Sequence, residues 1–525
     1  MNFKHALTAV LFATSTVLAQ AQPVTLKWGA QNDILTLDPH SQNHATTNAI
    51  LMNSYEGLTR YNAKFEVEPA LATKWTIVSP TQVRFELRKG VKFTDGSNFT
   101  ADDVIFSFGR ISQPNGTMQI YVSGIKDIKK VDDHTIDMNL SAPNPTLLRS
   151  LIDFRMMSKG WAEKNKTTDV QNYKAKEENF ASRNVNGTGA YQITSWSPDQ
   201  KITMTINKNW WDKHQGNVTD VVYTPIKSDP TRVAALLSGE LDLLTDLPTQ
   251  DVNRLRGDSK LKLLEGNEVR TIYLAMDMAS TELKYSDVKG KNPFKDKRVR
   301  QAFYQAIDIE GIKRTVMRGA ATPAAMLLPP QVNGYVADLG KRLPFDVEAS
   351  KKLMAEAGYP SGFEIKMNCP NDRYVNDGEI CQAVAANLAR IGVKINLEAE
   401  TKGTYFPKIL TRNTSFYMLG WTASTVDVHN VLYPIMSSPG EGGRGQFNLG
   451  AYSNAKVDEL TQKIGSETDP KKRNEMIAEA LKIHQDDIGH LPLHQQALNW
   501  GAKKNVELVQ WPDNGMAWKF VKVNP

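Results

Sequence analysis

The chain alternates between two hydrophobic rhythms. In Val24-Thr25-Leu26-Lys27-Trp28 every second residue is apolar, the pattern of a strand with one buried face. Val83, Phe85 and Leu87 repeat that period within TQVRFELRKGVKF, and Asp95-Gly96 follows as a turn signal. Thr100, with Asp103 three positions on, reads as a capping box opening a helix that runs through Arg110. The period then switches repeatedly. Tyr191 to Ile206 reads as strands, Pro230 to Ser238 as a helix, Lys297 to Arg318 as one helix, and Phe363 to Met367 as a strand. Asp377 to Ile391 reads as a helix stopped at Gly392, with Val393 to Leu397 as the next strand. Pro439 to Gly445 is a glycine-rich loop. Strands and helices mixed along the whole length predict an α/β fold, with no internal repeat or low-complexity tract.

Length adds that more than one core is needed. A chain of 525 residues is well past the roughly 250–300 at which a single core stops growing. Charged residues make up 23% and the mean hydropathy is -0.42, values of ordinary soluble proteins. The formal charge of +6 is small for this length, and no dense basic block or basic–aromatic stripe calls for a nucleic-acid partner. The N-terminus is more specific. Lys4 precedes an apolar stretch from Ala6 to Ala19, and Ala19-Gln20-Ala21 offers a small-x-small cleavage site before Gln22-Pro23. Residues 1–21 therefore read as a secretory signal peptide, too short for a membrane span. In an exported chain the two cysteines, Cys369 and Cys381, are free to form one disulfide, worth ~2–3 kcal/mol for so short a loop. No histidine lies near them to complete a zinc site.

Catalytic signatures are missing from the sequence. It holds no G-x-S-x-G, no H-E-x-x-H and no G-x-x-x-x-G-K-[ST]. Gly440 to Gly445 matches G-x-G-x-x-G, but it follows Ser-Ser-Pro and precedes Gln-Phe-Asn, so the strand and helix of a dinucleotide cradle are lacking. His40 and His44 have i,i+4 spacing, yet Pro39 and the polar run between them favour a loop over a chelating helix. The expectation is a binding protein with no catalytic residue, no metal and no cofactor.

Five segments in order then resemble the peptide/nickel branch (family 5) of bacterial extracellular solute-binding proteins. They are TQVRFELRKGVKFTDGSNFTADDVIFSFGRI, NGTGAYQITSWSPDQKITMTINKNWWD, FKDKRVRQAFYQAIDIEGIKRTVMRGAATPA, FDVEASKKLMAEAGYPSGFEI and ARIGVKINL. The resemblance implies a two-lobed periplasmic clamp with an extra inserted subdomain. Carried over, residues 22–60, 187–272 and 497–525 form the first lobe, 61–186 the inserted subdomain and 273–496 the second lobe. It further implies a monomeric periplasmic component of an ABC importer. Such a component captures a small peptide-like solute, modified peptide or conjugate by hinge closure and delivers it to permease subunits in the inner membrane.

Site residues follow only from matching segments. The loop Pro39 to His44 takes the place from which the first lobe contacts ligand, which nominates Asn43 and His44. Arg373 falls where peptide-binding members place an arginine for the ligand's carboxylate, a task suited to a planar guanidinium fork. A Cys369–Cys381 bridge would brace its loop. GWTASTVD, residues 420–427, resembles the family's "G-W-x-x-D-x-x-D-P" stretch and nominates Trp421, Thr422, Ser424 and Asp427. Ser424 departs from the pattern, because peptide-binding members carry there an Asp that pairs with the ligand's α-ammonium group. A hydroxyl cannot neutralise a buried cation, so the expected cargo is not an ordinary peptide held by its free N-terminus. Asp427 has a structural role as its alternative. Three other readings stay open: nickel or metallophore binding, kept alive by His429, a secreted hydrolase, and a receptor or chaperone that reports ligand to a sensor instead of a permease.

Overall fold

The computed structural model describes residues 22–525; the expected signal peptide lies outside the described residues. In the first strand, Thr25–Ala30, Leu26 and Trp28 are buried and Lys27 is exposed, as side-chain alternation dictates. This strand belongs to one large curled sheet. In spatial order its strands are Lys394–Glu400, Glu364–Pro370, Phe416–Thr422, Leu261–Met276, Leu491–Lys503, Leu243–Leu244, Thr25–Ala30, Asp220–Pro225, Lys201–Ile206 and Tyr191–Ser197. The short strand Ala321–Pro323 pairs with Leu491–Lys503.

Two long strands tie the halves together. Leu261–Met276 and Leu491–Lys503 pair antiparallel from Leu261↔Lys503 to Asn267↔Ala497, slip, and resume at Thr271↔Gln495. Glu268, Val269 and Arg270 fill the slip, a bulge that locally bends and twists the ladder. On one side of it Leu26, Trp28, Tyr191, Tyr223, Trp500 and Trp518 build a core. On the other, alternation sends Ile272, Leu274 and Met276 into one core and Tyr273 and Ala275 into a second on the opposite face. The expected lobe boundaries at 272/273 and 496/497 fall a few residues from this bulge. Within 61–186, a separate four-stranded sheet (Ala72–Ser79, Gln82–Leu87, Thr135–Leu140, Ile125–Asp132) has its own core around Phe85, Phe93, Ile136 and Met138.

Two details differ from the pattern or explain it. The helix expected over Lys297 to Arg318 is two, Lys297–Ala306 and Ile309–Thr315. Ile307 is extended, and the Asp308 carboxylate accepts the Gly311 N–H at 2.8 Å, capping the second helix. Apolar periodicity continues through the break in buried Ile309 and Ile312, which hides it from a pattern reading. Deeper in the molecule, the Arg110 guanidinium holds both Asp38 oxygens at 2.7 and 2.6 Å, with both side chains fully buried. That pair fastens the helix Ala101–Ile111 of the subdomain to the loop ahead of the first cleft helix.

Candidate functional site

The site starts from two short backbone devices. His44 ends the first-lobe loop as the N-cap of the helix Ala45–Leu51, its Nδ1 accepting the Thr47 N–H at 3.4 Å. His40 is a buried strut instead, with Nε2 2.8 Å from the Arg155 carbonyl and Nδ1 3.2 Å from Arg110. The two histidines therefore share no helix face. Across the cleft, the loop 371–376 joins the strand Glu364–Pro370 to the helix Asp377–Ala389. The Asp377 carboxylate accepts the N–H groups of Arg373 and Tyr374, both at 2.9 Å. Asn376 adopts a left-handed φ of 56° and donates its amide to the Val316 carbonyl at 2.9 Å. The disulfide Cys369–Cys381 ties the end of the strand to the first turns of that helix. Arg373 is thus presented from a loop fixed at both ends.

Between these elements lies a chamber of ≈ 970 Å³, counted to its mouth. Asn43, His44, Arg373, Trp421, Thr422 and Ser424 all line it, together with Tyr61, Tyr121, Asp153, Arg155, Phe406 and Asp513. The lobes are closed over it. The Tyr61 hydroxyl donates to the Ser424 carbonyl at 2.9 Å, and the Tyr121 hydroxyl lies 3.0 Å from Ser424 Oγ. Farther out, the Gln446 amide donates to the Gly116 carbonyl at 3.1 Å. Asn43 holds Tyr121 in place by accepting its hydroxyl at 3.3 Å. Trp421 serves two purposes: its indole N–H donates to the Asn430 carbonyl at 2.8 Å within a second-lobe core, while its ring faces the chamber beside Phe447. Thr422 Oγ1 accepts Arg270 Nε at 2.9 Å.

Asp427, by contrast, does not line the chamber and cannot hold a ligand there. Its two oxygens take Arg473 at 2.7 and 3.0 Å, the Asn333 amide at 2.8 Å and the His429 N–H at 2.9 Å. With four donors satisfied, it is a structural ion pair of the second lobe. Val426 just before it has φ 51°, a costly conformation for a β-branched residue, and the chain turns there away from the cleft. His429 also lies outside the chamber lining, stacked on Tyr433 at 5.4 Å, so it offers no ligand to a metal in the cleft.

Electrostatics sets the chamber's chemistry. Arg373 is 7% exposed, and among the described residues its guanidinium forms no ion pair or hydrogen bond; it lies over the Tyr374 ring at 4.8 Å. Burial, then the nearby Arg270, lowers its proton affinity. Arg155 is paired with Asp153 at 3.0 Å, and Arg270 with Glu268 at 2.8 Å. Burial, followed by the cations Arg373, Lys402 and Arg270, drives the His44 pKa well below its ordinary value and keeps the ring neutral. Burial also raises Asp153, and it lifts Asp513 to about 6 with help from the charge of Asp153. A chamber with one free buried cation in its lining is built to take a small anionic group.

The lining residues that sequence reasoning missed (Tyr61, Tyr121, Asp153, Arg155, Phe406 and Asp513) come from segments with no shared motif. One signal was available: Asp153-Phe-Arg155 sets a charged pair inside the apolar run from Leu147 to Met157. Asp513-Asn514-Gly515 gives no more than a turn signal.

Comparison with known proteins agrees with this architecture. Residues 66–443 match the sequence model of "Bacterial extracellular solute-binding proteins, family 5 Middle". The chain belongs to that family. Family 5 proteins are periplasmic solute-binding components of ABC importers, so the relatives are transport proteins rather than enzymes. Heme-binding protein A of Haemophilus influenzae is 30% identical over 85% of this chain and 82% of its own length. The glutathione-binding protein GsiB of Escherichia coli K12 is 24% identical over 93% and 92%. Among solved structures, the periplasmic binding protein DppA of Helicobacter pylori, in complex with the peptide STSA, superposes with a TM-score of 0.84. It is 24% identical, covering 95% of this chain and 98% of that one, a likeness of fold. This family 5 protein therefore has the two-lobed fold of periplasmic binding proteins.

Proposed function

We propose that the protein binds a small carboxylate-bearing, peptide-like solute in the closed cleft, with the carboxylate on Arg373, and hands it to an ABC permease. Modified peptides and conjugates are included. The observation that carries this reading is the unpaired Arg373 guanidinium, nine-tenths buried and facing a chamber that both lobes enclose. An isolated buried cation costs several kcal/mol, and a carboxylate accepting two parallel N–H bonds offsets that cost in the closed state alone. Ligand binding then favours closure, the form a permease can distinguish from the empty open clamp. The protein acts as a monomer, without chemistry on its cargo, after removal of residues 1–21. Intact-mass analysis of exported protein should give Gln22 as its first residue.

The test is calorimetric. Di- and tripeptides, each as free acid and as C-terminal amide, are titrated into the wild type and into Arg373→Met. Free acids should bind the wild type at least ~30-fold more tightly than the amides, a ratio that collapses in the variant. Equal affinity for acid and amide in the wild type would sink the assignment of Arg373.

A further inference from the structure

The charges facing the chamber do not all find partners inside the protein. Of the charged side chains that line it, Arg155 has Asp153 at 3.0 Å. Two are left over among the described residues. One is Arg373 on the second lobe. The other is Asp513, in the C-terminal segment; among the described residues its side chain only accepts the Gly515 N–H, through Oδ1 at 2.8 Å. Asp153 stands near enough to Asp513 for their charges to interact, and it binds Arg155 through one oxygen alone. Tyr61 and Tyr121, whose hydroxyls reach Ser424 from the other lobe, feel these two acids: Asp513 is the leading charge on Tyr61, and Asp153 on Tyr121. The acids therefore border the Ser424 region, where the second lobe itself presents only a hydroxyl.

We propose that Asp513, flanked by Asp153, is a cation subsite that receives an ammonium group of the cargo while Arg373 holds its carboxylate, so that the ligand is a zwitterion bridging the lobes. This rests on the Arg373 reading above. A purely anionic ligand would satisfy Arg373 and leave the half-buried Asp513 carboxylate at the closed chamber without a counter-charge, which is unfavourable. A zwitterion neutralises both, and it does so only when the C-terminal segment and the second lobe approach, which couples recognition to closure. Asp153 near Asp513 supports the same sign, since two neighbouring half-buried carboxylates are better tolerated with a cation close by.

The test uses the full mature chain and a panel of di- and tripeptides including trialanine, each unmodified, N-acetylated and C-amidated. Titration should show N-acetylation weakening binding to the wild type by about 30-fold or more, the usual consequence of unpairing a buried charge. Asp513→Asn should weaken the unmodified peptides comparably and leave the acetylated ones within about threefold, with Asp513→Glu recovering part of the loss. Ligand-free Asp513→Asn should melt no lower than the wild type, which separates lost recognition from misfolding. Acetylated peptides binding the wild type as tightly as free ones would overturn the proposal, as would an Asp513→Asn protein that still discriminates against them in full. Sensitivity to amidation without sensitivity to acetylation would overturn this subsite and leave Arg373 standing; the reverse pattern would remove Arg373 and keep the subsite. A panel that fails to bind in every form would overturn the zwitterion claim.

Discussion

Replacing Asp427 by asparagine separates a ligand contact from a structural one. In the structure its carboxylate takes two N–H groups from Arg473, which is 6% exposed, and two more donors from Asn333 and His429. Asp427→Asn keeps the shape and removes the charge, leaving a buried guanidinium without its counter-ion. Breaking one partner of such a pair costs about 3–5 kcal/mol. For a folding unit of roughly 150–250 residues each kcal/mol shifts the melting temperature by roughly 2–4 °C, so the expected fall is roughly 6–20 °C. Ligand affinity of the protein that remains folded should stay within about twofold, because Asp427 does not line the chamber. The double variant Asp427→Leu with Arg473→Met should recover most of the loss, since well-packed apolar residues commonly replace a buried pair at little or no cost. Differential scanning fluorimetry and calorimetric titration on the same samples suffice. A variant that melts like the wild type yet loses its ligand would refute the structural assignment.

Three further predictions concern the latch, acidity and the disulfide. Tyr121→Phe removes the hydroxyl facing Ser424 Oγ across the cleft; it should lower ligand affinity roughly fivefold, for one hydrogen bond worth about 1 kcal/mol, and shift the liganded protein toward open conformers in small-angle scattering. Unchanged affinity would show the latch to be incidental. Burial depresses His40 to about 3 and His429, His484 and His494 to about 4, and drives His44 and His490 well below the ordinary value. The unfolded chain takes protons on these rings below about pH 6.5 while the folded one does not, so each loses up to about 1.4 kcal/mol of stability per pH unit down to its folded value. Asp377 and Asp513, raised to about 6, Glu268, raised to about 7, and Glu56, Asp103 and Asp153, raised by burial, act in the opposite sense, but with His214 also lowered by burial seven histidines stand against six carboxyls. Melting temperature should therefore fall between pH 6.5 and 4, and a flat profile there would contradict the burial of these rings. Reducing Cys369–Cys381 should lower stability by about 2–3 kcal/mol and weaken binding through the Arg373 loop; loss of stability with full affinity would mean that the loop is held by Asp377 alone.

Much of the fold is legible because local chemistry and tertiary packing agree. Alternation in Thr25–Ala30 and Gln82–Leu87, and the Thr100/Asp103 cap of Ala101–Ile111, survive into the structure because each buried face meets a core. Agreement fails at Ile307-Asp308, where apolar period persists through a helix break and a side-chain cap decides the backbone. In the site, second-lobe residues such as Arg373 and Trp421 sit in recognisable local segments and fall in the chamber lining. The first-lobe side is different. Tyr121, Asp153 and Asp513 converge from segments separated by up to several hundred residues, and apart from the charged pair in Asp153-Phe-Arg155 nothing in their immediate sequence marks a cleft. Position 424 illustrates the consequence. Its serine, read alone, speaks against a cationic ligand end, whereas the folded chain brings two carboxylates from elsewhere to the same chamber. Asp427 misleads in the other direction, since no sequence pattern reveals that Arg473, 46 positions away, already occupies it.

The account's central claim is that solute closes the clamp by placing a carboxylate on Arg373. A crystal structure of the protein purified from its own periplasm with its retained cargo addresses that claim most directly. The account predicts closed lobes and a ligand carboxylate accepting two hydrogen bonds of about 3 Å from the Arg373 guanidinium. Cargo in a closed cleft with Arg373 turned onto a protein carboxylate, or left without any acceptor, would contradict it.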